Sequence, residues 1–210
     1  MPSPPGPASH DDGIREALNT DRTETFSDGV FAIAITLLVL EIKTPQHSTD
    51  LWHDLGKLWP SYASFVVSFF TIGVIWVNHH YQFERFVRAD RTLLFLNLLL
   101  LFWVAFIPFP TAVVAEQFRE HSHEEVAAAF YAATFLAMGL SFFGLWSYAR
   151  RTRLVDDTIT PAQMRALTLR NALGEVGYAI AVGLAFLSPP ASLILCGLIA
   201  LYYALPGRVV

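Results

Sequence analysis

Between Phe26 and Ile42 the chain holds an apolar run in the length class of a bilayer-crossing helix, with an acid, Asp28, close to its start. From Val30 to Leu40 the only polar side chain is Thr36. A carboxylate at the centre of a lipid-buried helix costs about 2.5 to 3.5 kcal/mol, and less toward the interface. Something inside the protein must offset that cost, so the segment is expected to span a membrane beside other spans.

A helical wheel gives the segment a direction. Ile33, Leu37 and Leu40 follow i, i+4, i+7 and cluster on one face. Asp28 lies about 140° from Ile33 on the wheel and groups with Ile35 and Val39, so the acid and the aliphatic stripe face different surroundings. Asp28 is expected to turn into its own subunit. The stripe then faces another subunit, lipid or an aqueous path, and periodicity does not choose among these.

The rest of the chain has the same character. With 54% hydrophobic and 15% charged residues among 210, it is too apolar for an ordinary soluble domain and reads as an all-α, polytopic membrane protein. Six spans are expected, at about 23–42, 58–83, 92–115, 126–148, 162–187 and 193–205. Residues 1–16 read as a disordered cytoplasmic tail with no cleavable signal peptide, and 17–210 as the transmembrane domain. Pro108 and Pro110 should end or kink the third span. Glu116 to Glu125 reads as an exposed acidic loop, and Thr160-Pro161-Ala162-Gln163 as a helix start. Cys196 stands alone and excludes an internal disulfide. The net charge of −4 and the lack of a basic stripe outside the loops beside the spans argue against nucleic acid as a partner.

Orientation follows from the basic residues. One side receives Arg15, Arg22, Arg85, Arg88, Arg91, Arg150, Arg151, Arg153, Arg165 and Arg208, the other only Lys43, Lys57 and Arg119. The richer side should be cytoplasmic, which puts both termini there in a multi-pass protein of the cell membrane.

Arg22 with Phe26-Ser27-Asp28, followed by Gly29-Val30-Phe31-Ala32-Ile33-Ala34-Ile35-Thr36-Leu37-Leu38-Val39-Leu40, resembles the first-helix signature of the transmembrane protein 175 family of potassium-permeable channels. A single six-span unit resembles its prokaryotic members. The resemblance implies a homotetramer whose first helices line a central pore without the usual potassium filter. It makes Ile33 the hydrophobic constriction, Leu37 and Leu40 further apolar rings, and Thr36 a polar, selectivity-bearing layer. Without it, an aliphatic stripe at helical spacing is more often lipid-facing or packed on another helix, and Thr36 a hydroxyl bonded back to its own helix. The two readings of Thr36 can coexist.

Polar groups in lipid must be satisfied within the protein. Arg22, Ser27, Asp28, His79, His80 and Asn97 fall at one depth, beside Phe26, and are expected to form an intrasubunit network in which Asp28 accepts from a histidine or from Arg22. The plainer alternative makes His79 and His80 interfacial side chains without a specific role. Thr71-Ile72-Gly73-Val74 is a chance fragment of a Thr-Val-Gly-Tyr-Gly filter, with Gly73 a close helix contact. Glu175 is either a proton relay or a neutral structural acid. His121, His123, Glu124 and Glu125 form weak metal-ligand candidates in a solvated loop.

The leading reading is a potassium leak channel with K+ and the bilayer as partners, no cofactor and no covalent chemistry. The alternatives are a proton channel and a proton-coupled secondary transporter using Asp28, His79, His80 and Glu175. An enzyme is the least expected reading, because the intramembrane carboxylates lack a motif pairing them with a nucleophile or metal pair.

Overall fold

The computed structural model describes residues 10–45, 49–156 and 160–205, with side chains in the first helix from Thr20 onward. Of the residues used for orientation, Arg208 and the side chain of Arg15 lie outside the described residues, as do residues 1–9 of the expected tail. The helices are α1 (His10–Leu37), α2 (Leu51–Lys57), α3 (Trp59–Phe83), α4 (Arg91–Phe106), α5 (Pro108–Glu120), α6 (Glu124–Arg151), α7 (Pro161–Ala185) and α8 (Pro189–Ala204), with a 3-10 turn at Leu38–Glu41. An isolated bridge between Phe86 and Val155 is the one β-type pairing among the described residues.

Helix α1 begins at His10, so residues 10–16 are helical where a disordered tail was expected. Extending an established helix adds one hydrogen bond per residue fixed, which carries it back through a polar segment.

Local chemistry accounts for several helix ends. Asp50 and Asp90 cap α2 and α4 by accepting the amides of His53 (3.2 Å) and Leu93 (2.8 Å). Thr160 and Gln163 form a reciprocal capping box with Pro161 in the first turn of α7. Pro108 has no N–H for the carbonyl of Val104, and the amide of Ile107 takes that carbonyl instead at 3.3 Å. The helix breaks there into α4 and α5. Beyond it, α5 runs on to Glu120, so the expected acidic loop shrinks to a turn in which His121 and His123 adopt φ values of 50° and 49°. Glu116 is accordingly half-buried, bonded to Lys43 at 2.9 Å and Arg119 at 2.8 Å.

Four helical stretches among the described residues are long and apolar enough to cross a membrane: Thr20–Glu41, Trp59–Phe83, Arg91–Glu120 and Glu124–Arg151. Helix α8 is apolar but has 16 residues, and α7 carries Arg165, Arg170 and Glu175 along its length. Helix α6 is the centre of the bundle and packs on α4, α5, α7 and α8. Its small residues Ala128, Ala132, Gly139 and Ala149 permit close approach on several sides. Helix α1 lies at the periphery against α3 and α4. Only 22% of its apolar stretch is buried in the subunit, against 44% for α6.

Candidate functional site

The inner face of α1 is Ser27, Phe31, Ala34 and Leu38, all buried. Its centre sits one position earlier than expected from the acid. Asp28 and Ile35 are only half-buried and Val39 is 52% exposed. A hydroxyl already bonded to its own helix is far cheaper to bury than a carboxylate, so Ser27 takes the centre and Asp28 the edge. Ile33, Leu37 and Leu40 are 60%, 41% and 70% exposed on the surface of the subunit.

The 3-10 turn at Leu38–Glu41 changes the geometry of that ridge. A 3-10 helix turns by roughly 120° per residue, so residues three apart eclipse and Leu40 stands above Leu37. The exposed Thr36 hydroxyl donates to the carbonyls of Ile33 (2.9 Å) and Ala32 (3.0 Å). Its proton is held by the backbone, which leaves the oxygen lone pairs to face outward.

Behind the ridge, two sets of bonds hold α1 to its neighbours. In the buried set, Asn97 on α4 donates to the hydroxyl of Ser27 at 2.9 Å, and Ser27 donates to the carbonyl of Thr23 at 2.8 Å. The Asn97 carbonyl oxygen lies 2.9 Å from Nε2 of His79 on α3, which therefore carries the proton. His79 is fully buried between Phe31 and Phe83, with ring centroids 5.3 and 4.3 Å away. The donors run one way, from α3 through α4 into α1.

The second set lies at the rim. Trp76 Nε1 donates to the Asp28 carboxylate at 2.8 Å. One turn along α3, His80 meets Glu24 at 2.6 Å and Glu84 at 3.4 Å. The expected partner of Asp28, a histidine or Arg22, is thus replaced by Trp76. Arg22 is exposed and no bond joins it to Asp28 among the described residues; Phe26 is also exposed. Trp76 and Glu24 were missed because both pairings link helices distant in sequence. The spacing of Trp76 and His80, one turn apart on α3, is the local signal that they share a face.

A third cluster, also not anticipated, sits at the α4/α5 break. Ser68 lies 2.7 Å from the hydroxyl of Thr111 and 2.8 Å from that of Tyr131, while Thr111 donates to the carbonyl of Ile107 at 2.8 Å. It joins α3, α5 and α6 where the prolines have removed backbone donors.

The remaining candidates lie apart. Thr71–Val74 is within the continuous helix α3, and a side chain added at Gly73 would meet nothing, so Gly73 is not the close helix contact that was expected. Glu175 points from α7 at Gly139 of α6, whose missing side chain makes its room, and Oε2 has no hydrogen-bond partner among the described residues. No group of three or more His, Cys, Asp or Glu among the described residues is arranged to hold a metal ion.

A profile of the family described as "Endosomal/lysosomal potassium channel TMEM175" matches residues 22–108. A potassium channel of Streptomyces collinus is 53% identical over 185 residues, covering 87% of this chain and 90% of that protein. The chain belongs to the TMEM175 family. A potassium channel of Chamaesiphon minutus is 45% identical over 195 residues, 90% of this chain and 96% of that one. The crystal structure of a lysosomal potassium-selective channel TMEM175 homolog from that organism matches with a TM-score of 0.81 and 44% identity, covering 89% of this chain and 96% of the other. An endosomal/lysosomal proton channel TMEM175 of Gallus gallus is 33% identical over 147 residues, 65% of this chain and 29% of that protein. The stretch matched to the TMEM175 profile runs from Arg22 to Pro108. It holds the whole α1 ridge and both sets of bonds behind it, whereas Glu175 lies outside it. TMEM175 is a family of ion channels, not of enzymes.

Proposed function

We propose that the chain is a potassium-permeable leak channel of the cell membrane. Four copies of a six-span subunit, with both termini cytoplasmic, place their α1 helices about a common axis. Ile33 then forms a hydrophobic constriction, Leu37 and Leu40 add apolar rings, and Thr36 supplies a ring of hydroxyl oxygens in place of a TVGYG-type filter. The observation that carries this reading is the uncovered ridge at Ile33, Leu37 and Leu40, on the stretch that is least buried of the four long and apolar enough to cross a membrane. The potassium channels of Streptomyces collinus and Chamaesiphon minutus support it through their similarity over nearly the whole chain. Ser27, Asp28, His79, His80 and Asn97 set the rotation of α1 in this reading, with Ser27, Asn97 and His79 as the fixed core and the exposed Arg22 and Phe26 flanking them.

Proton permeation through the same path is the second reading, favoured by similarity to a proton channel of Gallus gallus. Proton-coupled exchange is disfavoured: Asp28 is bonded to Trp76, His79 to Asn97, and Glu175 sits across the bundle at Gly139. Purified protein in liposomes tests all three. A current that reverses near the potassium equilibrium potential under a potassium gradient, and scarcely moves under a pH gradient, fits the potassium channel. Reversal near the proton equilibrium potential would overturn it, as would electroneutral exchange.

A further inference from the structure

A crevice of about 410 Å³ opens at the basic end of the bundle, where the α3 terminus meets α6, α7 and α8; Asn78, Gln82, Arg85, Trp146, Arg170 and Asn171 line it. It contains no residue of the α1 ridge and so stands apart from the proposed conduction path. Gln82 is 4% exposed, and neither its amide nitrogen nor its amide oxygen has a hydrogen-bond partner among the described residues. Leaving a buried amide unsatisfied is costly, so a partner of matching chemistry is called for.

The surroundings define that chemistry. Arg170 lies over the Tyr203 ring, 5.5 Å from its centroid, and uses Nη2 alone to bond the carbonyls of Tyr203 (3.2 Å) and Leu205 (3.3 Å). Its Nε and Nη1 have no acceptor among the described residues. Arg85 donates through Nη1 to the carbonyl of Tyr81. Neither guanidinium is paired with a carboxylate among the described residues, so two positive charges face one crevice without an anion. Planar guanidinium groups match phosphate oxygens, and basic pockets between spanning helices at the cytoplasmic face suit anionic headgroups. Gln82 adds a further requirement. Its NH2 can donate to a phosphate oxygen, but its carbonyl oxygen needs a donor, which a phosphate diester without a hydroxyl does not offer.

We infer that this crevice binds the headgroup of an anionic phospholipid that carries a free hydroxyl, with Arg85 and Arg170 on the phosphate and Gln82 on both phosphate and hydroxyl. The same phosphate chemistry could arrive as a soluble ion, and the experiment separates the two.

Full-length protein in detergent is titrated with phosphatidylglycerol, with phosphatidylcholine, and with inorganic phosphate, and bound lipid is counted by native mass spectrometry. The expected result is retention of phosphatidylglycerol over phosphatidylcholine, about tenfold weaker phosphatidylglycerol binding in Arg85→Ala, and in Gln82→Met a lost preference for phosphatidylglycerol over phosphatidylethanol, which has no headgroup hydroxyl. Should Gln82→Met fail to fold, the phosphatidylethanol comparison on the unaltered chain reads the same hydroxyl. Equal retention of phosphatidylglycerol and phosphatidylcholine would overturn the site. Displacement of the lipid by inorganic phosphate at equal affinity would overturn the lipid assignment, and unchanged binding in Arg85→Ala would overturn the residues named.

Discussion

Asn97 and Ser27, 70 residues apart, meet at 2.9 Å in the one buried side-chain bond that joins α1 to α4 among the described residues. Because Asn97 also accepts from His79, a single amide fixes the approach of α1 to two helices. Asn97→Leu leaves both the Ser27 hydroxyl and the His79 ring nitrogen without that partner, at about 1 to 3 kcal/mol per buried group. Its thermal unfolding midpoint should fall well below that of Ser27→Ala, which leaves only the Asn97 NH2 group unpaired; equal midpoints would mean that the chain of bonds does not act as a unit.

The rim pair is more exposed and should matter less. Trp76→Phe removes the donor to Asp28 while keeping an aromatic ring, and an expected loss of about 1 kcal/mol follows from one charge-assisted hydrogen bond at a partly wet site. A double-mutant cycle with Asp28→Ala, which removes the acceptor, should return a coupling between Trp76 and Asp28. The same cycle between Arg22 and Asp28 should return none.

Thr111→Val is nearly isosteric and deletes the hydroxyl that serves both Ser68 and the Ile107 carbonyl. A loss of about 1 to 2 kcal/mol is expected, read as a lower unfolding midpoint. Ser64→Ala, whose hydroxyl bonds only its own helix, is the control and should change it little.

Asp90 carries the pH dependence accessible outside the spans. The Leu93 amide and the Tyr148 hydroxyl hold its carboxyl below the usual carboxylate range. A carboxyl with a lowered folded-state pKa contributes stability that is complete above its unfolded value, about 3.9, and is lost as pH falls through the folded value. Asp90→Ala should cost about 1 kcal/mol at neutral pH, as for other helix caps, and should flatten the acid limb of a stability-versus-pH curve. An acid limb unchanged in slope would remove Asp90 from the account.

If Thr36 turns its oxygen toward ions, Thr36→Ala should reduce the preference for potassium over sodium without abolishing current. Bi-ionic reversal potentials read this directly. Potentials identical to those of the unaltered protein would return Thr36 to a purely backbone role.

Features governed by neighbours in sequence were legible in the chain. The helix start at Thr160 and the break before Pro108 depend on residues within one helical turn, and both stand where expected. The rotation of α1 was legible to within one residue: the aliphatic ridge faces outward, but the inward centre belongs to Ser27 because a charged group placed at the edge avoids full desolvation. The 3-10 turn beneath Leu40 left no sequence mark, since its phase depends on packing around the buried Leu38. Partners across the bundle were not legible. Trp76 and Asp28 are 48 residues apart, and several donors at that depth could have satisfied the acid.

Substituted-cysteine accessibility at Ile33 tests the pore most directly, and the one native cysteine, Cys196, is buried and need not be removed. Potassium current through Ile33→Cys channels in a bilayer is recorded before and after a positively charged thiol reagent, with Phe95→Cys, exposed on α4, as the comparison. The account predicts that modification blocks current at Ile33→Cys and leaves it intact at Phe95→Cys. Undiminished current through channels whose Ile33→Cys thiol is fully labelled would contradict it.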